Sequence, residues 1–343
     1  MSTDTTMNSL FKNKKILITG GTGSLGQALT KRLLSLDVDA IRIFSRNEYN
    51  QIDMEKKFND KKLRFLLGDI RDGERLTKAM ADIDIVFHAA ALKHVPKIEY
   101  NPFEAIKTNV IGSQNVIDSS AASNVEKVVC IGTDKSVLPL NTYGATKLLM
   151  EKIFVSANNY INPEKYRTKF VAVRYGNVLG SSGSVIPLMV EQIKQGKKIT
   201  MTDPKMTRFS ITMDDALTFI LNATKYGKGS EIFIPKMKAY VISDVIDALK
   251  EIFSYGDVEE VGARPGEKLE ENLINSDEMK FAWEYENLLM IINPFYSLFR
   301  DDTIKESYKG IKKFEGYDSY SSGHVEKLTI DELKTIITNS ELI

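Results

Sequence analysis

One cysteine, three histidines and a formal charge of zero are the scarcities of this 343-residue chain. Each closes a class of function. Cys130 alone cannot form an intrachain disulfide, and no metal centre can be built from cysteines. His88, His94 and His324 are too few and too scattered for a zinc site. Lys plus Arg is 46 and Asp plus Glu is 46, so the basic excess that nucleic-acid or membrane-surface binding needs is missing. No apolar run approaches the ~18 residues of a membrane helix. The first ten residues are polar, without an apolar signal core, and read as a disordered tail. A soluble cytoplasmic protein is expected. Its 43% hydrophobic content suffices for one large or two modest cores.

What is present begins with Lys15-Ile16-Leu17-Ile18-Thr19, a strand ending in Gly20-Gly21-Thr22-Gly23-Ser24-Leu25-Gly26 and followed by an amphipathic helix from about Gln27 to Leu36. Glycines at 20, 23 and 26 permit a tight turn and let backbone N–H groups approach a pyrophosphate at the helix N-terminus. A second strand, Ala40 to Phe44, ends in Ser45-Arg46-Asn47. An acid at this place would hold a ribose 2′-hydroxyl, whereas an Arg accommodates a 2′-phosphate, so the residues favour NADP. A third strand leads to Gly68-Asp69-Ile70, with Asp69 placed to bond an adenine amine. A fourth leads to His88-Ala89-Ala90-Ala91-Leu92-Lys93-His94, where small residues let the backbone lie close to a cofactor. A helix from about Phe103 carries Asn109.

The fifth strand, Lys127 to Gly132, delivers the stretch richest in chemistry: Thr133-Asp134-Lys135, then Tyr143-Gly144-Ala145-Thr146-Lys147. Open α/β sheets bind ligands at such carboxyl ends. Tyr143 and Lys147 share one helix face, and an ammonium near a phenol lowers its pKa. That would make Tyr143 a base able to take a proton from a sugar hydroxyl. A sixth strand, Phe170 to Arg174, ends in Tyr175-Gly176-Asn177. Strands alternating with helices predict an α/β fold: a doubly wound parallel Rossmann sheet with a smaller α/β substrate unit at the C-terminal side. The expected division is 11–176, rejoined by about 207–230, for the dinucleotide unit, and 177–206 with 231–343 for the substrate unit. Arg264-Pro265-Gly266-Glu267-Lys268 is a basic turn able to grip a diphosphate.

Together these residues resemble the extended short-chain dehydrogenase/reductase family of nucleotide-sugar enzymes. Within it, the chain is similar to UDP-N-acetylglucosamine 4,6-dehydratases of the small inverting type. The likeness is carried by Gly20 to Gly26, Phe44 to Glu48, His88 to Pro96, Thr133 to Lys135, Arg174 to Val178, Arg264 to Lys268 and the late Tyr320-Ser321-Ser322. The resemblance implies a tightly held NADP that takes hydride from C4 of UDP-N-acetylglucosamine and returns it to C6. Tyr143, helped by Lys147, would take the C4 hydroxyl proton. Asp134 would be the acid and Lys135 the base for eliminating water across C5 and C6, beside Thr133. That base role needs Lys135 partly neutral, through burial or the nearby Lys147.

By the same likeness, Gly20, Thr22, Gly23, Ser24, Leu25, Gly26, Ser45, Arg46, Asn47, Glu48, Tyr49, Asn50, Asp69, Ile70, Ala89, Ala90, Lys93, Tyr143 and Lys147 would line the cofactor. Lys93, Asn177, Val178, Arg208, Arg264 and Glu267 would hold the UDP-sugar, with His94 behind them. Asn47 stands where the family commonly has Asp, and Ser136 where Ala is usual; Ser136 is expected to add a hydrogen bond beside the acid–base pair. A homo-oligomer, dimer or hexamer, is implied. A retaining dehydratase, a UDP-sugar 4-epimerase and a non-catalytic NADP sensor remain alternatives, and Asp134-Lys135 is the feature an epimerase does not need.

Overall fold

The computed structural model describes residues 3–162, 164–179, 185–254, 257–263, 266–292 and 306–339. Its strands, in chain order, are Lys15–Thr19 (β1), Ala40–Ser45 (β2), Leu63–Leu67 (β3), Ile85–His88 (β4), Lys127–Ile131 (β5), Lys169–Val173 (β6), Asn177–Val178 (β7), Ile199–Met201 (β8), Thr207–Ile211 (β9), Glu231–Pro235 (β10), Ala239–Val241 (β11), Val258–Glu260 (β12), Asn272–Ile274 (β13), Ala282–Tyr285 (β14), Leu288–Ile292 (β15), Lys312–Lys313 (β16) and Tyr320–Ser321 (β17). Its helices are Thr3–Phe11 (α1), Ser24–Leu34 (α2), Glu48–Phe58 (α3), Gly73–Met80 (α4), Val95–Tyr100 (α5), Pro102–Ala105 (α6), Gly112–Ala122 (α7), Thr142–Tyr160 (α8), Val185–Lys194 (α9), Met213–Tyr226 (α10), Ile242–Phe253 (α11), Ser276–Met279 (α12) and Ile330–Asn339 (α13). A π-helical turn, Ile106–Ile111, joins α6 to α7.

The central sheet runs β16-β14-β15-β10-β6-β5-β4-β1-β2-β3. From β3 to β10 the strands are parallel, and β15, β14 and β16 continue antiparallel. Apolar β1, β4, β5 and β6 are buried on both faces, as parallel strands between helices must be. The order reverses between β1 and β4, where Thr19 lies beside His88, and that crevice is where doubly wound sheets take their ligands. His88 is sealed there: Thr19 Oγ1 lies 2.8 Å from Nδ1 and Ser113 Oγ 2.9 Å from Nε2, and burial depresses its pKa to about 3.

Two expectations need correction. The first ten residues are not a disordered tail over their described part. Met7, Leu10 and Phe11 recur at helical spacing, and α1 buries Met7 and Phe11 in the sheet's core, with Asn8 Oδ1 accepting from Asp37 N at 2.9 Å. Nor does 231–343 form one smaller unit. The β10, β14, β15 and β16 strands extend the central sheet, and the apolar residues of β10, β14 and β15 belong to its core. A second, smaller core gathers α9, β8, α11 and α13 around Met189, Ile199, Tyr240, Val245 and Leu333. Among the described residues no helix is long and apolar enough to cross a membrane.

Candidate active site

The turn after β1 is shaped by backbone contact. Gly20 has φ +69°, and a Cβ there would meet Ala90 Cα at 2.8 Å, so only glycine lets the two post-strand loops touch. No side chain caps the N-terminus of α2 at Gly23. On the neighbouring strand, Asn47 Oδ1 caps α3 through Asn50 N at 2.9 Å, and Gln51 Nε2 holds Ser45 Oγ at 3.0 Å. Arg46 reaches Asp69 at 3.7 Å. Asp69, although partly buried, is held below the usual carboxylate range by Arg71, which donates to it at 2.9 and 2.7 Å.

After β5 the chain stays tied to the continuation of β6: Asp134 N donates to Tyr175 O at 3.0 Å. A short 3-10 turn, Asp134–Ser136, follows, and Asn141 Oδ1 caps α8 through Gly144 N at 2.8 Å. Gly144 is required by packing, because a Cβ would sit 2.2 Å from Lys135 O. The first turn of α8 therefore lies directly on the Lys135 loop. Ser136 Oγ donates to Thr133 O at 2.6 Å, the hydrogen bond expected of it. The π-helical turn places buried Asn109 so that Nδ2 donates to Leu92 O at 3.0 Å and Thr146 Oγ1 at 3.0 Å, pinning the post-β4 loop to α8.

These loops enclose one cleft of about 1240 Å³. Its walls include Gly20, Thr22, Gly23, Ser24, Leu25, Gly26, Ser45, Arg46, Asn47, Asp69, Ile70, Ala89 and Ala90 at one end, and Lys93, His94, Thr133, Lys135, Tyr143, Lys147, Asn177, Val178, Arg208 and Glu267 toward the other. Asp134 lies beneath this surface, fully buried, with Oδ1 accepting from Thr133 Oγ1 at 3.0 Å and Lys135 Nζ at 3.1 Å. Arg264 lies outside the described residues.

Two acid–base settings stand out. The Lys147 amine donates to Ile131 O at 2.6 Å, and burial lowers its pKa to about 8. Burial pushes Tyr143 above the ordinary phenol, and the cation that partly offsets this is Lys135, with a hydrogen bond to Thr133. Lys135 is not tuned toward neutrality. Desolvation works in that direction, but Asp134 and Glu271 outweigh it and hold the amine above its usual range.

Glu271 was missed by the sequence reading. It is 4% exposed, with Oε1 3.8 Å from Lys135 Nζ and 4.0 Å from Arg208 Nε, and Oε2 3.9 Å from Lys268 Nζ. An acid three residues after the lysine of the basic turn was the available signal; nothing local said that it would fold against a loop far upstream. Tyr240 was missed as well, and its hydroxyl lies 3.4 Å from Asn177 Nδ2.

A family model described as "Polysaccharide biosynthesis protein" matches residues 16–293. The chain belongs to that family. It is 43% identical to a UDP-N-acetylglucosamine 4,6-dehydratase (inverting) of Campylobacter jejuni over 97% of this chain and 99% of that protein. It is 40% identical to a UDP-glucose 4-epimerase of Rickettsia bellii over 97% and 98% of the two chains. Among solved structures, Pen from Bacillus thuringiensis is 40% identical, covers 97% of this chain and 99% of its own, and superposes with a TM-score of 0.88. The architecture is also shared by more distant dehydratases and epimerases at TM-scores of 0.68 and 0.65.

Proposed function

We propose that this chain acts on nucleotide sugars as a UDP-N-acetylglucosamine 4,6-dehydratase that inverts C5. The observation that carries the reading is the Asp134–Lys135 pair beside the cleft within reach of Tyr143. Interconverting C4 epimers needs one base at the C4 hydroxyl. Removing water across C5 and C6 needs an acid and a second base, and this pair supplies both types of group. The Campylobacter relative's name agrees with it.

A nicotinamide dinucleotide fits the other end of the cleft. The Gly20–Ala90 approach leaves room for a pyrophosphate where no side chain caps α2. Arg46 beside Ser45 favours a 2′-phosphate, hence NADP. When bound, that group accepts a hydride and gives it back, so the net reaction is that of a lyase. The protein's own part is proton handling. Tyr143 takes the proton of the C4 hydroxyl. Lys135 takes the C5 proton. Asp134, a carboxylate resting 3.1 Å from Lys135 Nζ, first takes up a proton from solvent and then supplies it to the departing 6-hydroxyl, with Thr133, which donates to its Oδ1, between it and the cleft. Lys93, Asn177, Arg208 and the 264–268 turn hold the UDP-sugar; Arg208 suits a diphosphate because its fork bonds two oxygens at once.

Incubation of the purified protein with UDP-N-acetylglucosamine in D₂O, with no cofactor added, tests this by ¹H NMR. A new C6 methyl signal, with deuterium at C5 and ring couplings of the inverted sugar, is the expected result. An unchanged 6-CH₂OH with inversion at C4 would instead make this a 4-epimerase, the second reading, which the Rickettsia relative's name favours. An untouched substrate, even with added NADP⁺, would remove the substrate assignment.

A further inference from the structure

Lys135 presents a difficulty that its neighbours resolve. As a base it must be neutral, yet it lies between two carboxyl groups, Asp134 at 3.1 Å and Glu271 at 3.8 Å. Asp134 accepts from Thr133 and Lys135 through Oδ1, while its Oδ2 has no hydrogen-bond partner among the described residues. Glu271 is held by even less. It is 4% exposed, and among the described residues no donor hydrogen-bonds its Oε2. Three cations, Lys135, Lys268 and Arg208, stand 3.8 to 4.0 Å away, beyond hydrogen-bond range of its oxygens. A buried carboxyl so loosely held is unusual, since buried polar atoms are normally paired.

The backbone of Glu271, in contrast, is fixed. Its N–H donates to Ser322 Oγ at 2.9 Å, and its carbonyl accepts from Ser322 N at 2.8 Å. Ser322 Oγ in turn lies 2.8 Å from Thr207 Oγ1, next to Arg208. The adjoining β13–β17 pairing completes the clamp. The late Tyr320-Ser321-Ser322 segment thus aims the Glu271 carboxyl at Lys135.

We propose that Glu271 is the proton partner of Lys135: it holds Lys135 as an ammonium in the resting site and accepts that proton when Lys135 has to act as a base. This rests on the dehydratase reading above. In the step, an N–H bond of Lys135 breaks and an O–H bond forms on Glu271, leaving a neutral amine beside a neutral acid. The proton returns after turnover. One rotamer adjustment or one bridging water closes the 3.8 Å gap. Burial already favours the protonated acid, as does Asp134; Lys135, Arg208 and Lys268 oppose it. Tyr143 and Tyr240 are the other titratable groups facing Lys135 and Asp134. Glu271 is therefore a positioning residue that acts through Lys135.

The test compares the full-length protein with Glu271→Gln, which preserves shape and removes the charge. Acetic anhydride acylates neutral amines, and peptide mass spectrometry reads the pH midpoint of labelling at Lys135. In Glu271→Gln that midpoint falls by about one pH unit or more. Glu271→Asp, which keeps the carboxylate, retains a raised midpoint. An unchanged midpoint in the Gln variant, or an equal fall in the Asp variant, overturns the proposal. With UDP-N-acetylglucosamine, kcat of the native protein is level across neutral pH, because the proton passes internally. In Glu271→Gln, kcat rises with pH up to the Lys135 midpoint. A loss of kcat with an unchanged pH profile means a merely structural residue and also overturns it. Labelling needs no substrate, so a protein that ignores UDP-N-acetylglucosamine loses the function proposed above while the Glu271–Lys135 coupling is still decided.

Discussion

Two clusters of charge lie within this protein, and they are built to opposite rules. In the first, Arg174 is fully buried, donates to both oxygens of Glu151, with Nε to Oε2 at 2.9 Å, and to Glu278 at 2.9 and 3.0 Å, and reaches Leu273 O at 2.7 Å. In the second, Lys135 shares two carboxyls at 3.1 and 3.8 Å, and Asp134 Oδ2 and Glu271 Oε2 have no hydrogen-bond partner among the described residues. The first closes every valence and ties α8 to α12. The second leaves acceptors open beside a cleft wall. Desolvated charge is tolerated where geometry satisfies it, and it is reactive where geometry does not. That difference, rather than burial, separates the bolt from the Lys135 cluster.

The largest expected effect sharpens the comparison. Asp134→Asn keeps the side chain's shape and removes the acid. Product formation measured by NMR falls by about 10²- to 10⁴-fold, with unfolding in denaturant nearly unchanged. The reverse pattern is expected at the bolt. Glu151→Gln weakens the bidentate pair and leaves Arg174 undercompensated, lowering unfolding free energy by about 3 kcal/mol in urea titration. Equal stability losses from the two variants would break the distinction.

A third test uses pH. Burial depresses Lys147 to about 8, against Cys130 and Glu151, which favour its charge. Below that value the folded and unfolded states both bind the proton, and the folded state bears the full desolvation penalty. As pH rises from about 8 toward the ordinary amine range near 10.4, the native state releases the proton while the unfolded chain keeps it. Stability from this group therefore climbs over that window. In Lys147→Met that rise is absent, by about 3 kcal/mol in chemical denaturation followed across the window. The smallest effect is Ser136→Ala. It removes one buried hydrogen bond to Thr133 O, and costs about 1 kcal/mol or less in stability.

The glycine-turn wall of the cleft was open to reading in the sequence. Its elements are local: an apolar strand, a glycine turn and a helix in succession, with Arg46 at the next strand end. The Asp134-Lys135 and Tyr143–Lys147 stretches were legible for the same reason, because one strand end and one helix start carry them. The acid–base settings were not legible. Four-residue spacing puts Tyr143 and Lys147 on one face, but the spacing does not say that the Lys147 amine donates to Ile131 O. α1 was hidden by its polar composition, although Met7, Leu10 and Phe11 already had helical spacing.

By itself, then, the sequence determined the doubly wound order, the glycine turn after β1 and the residue types at the strand ends, since hydrophobic period and glycine placement act over a few neighbouring residues. Only the tertiary structure decided which charges meet. It brought Glu271, Arg208 and Lys268 to Lys135, and clamped Glu271 through Ser322 and Thr207 from distant parts of the chain. Charge couples through space and desolvation depends on the whole fold, so the protonation state of Lys135 exists only once the chain has closed around it.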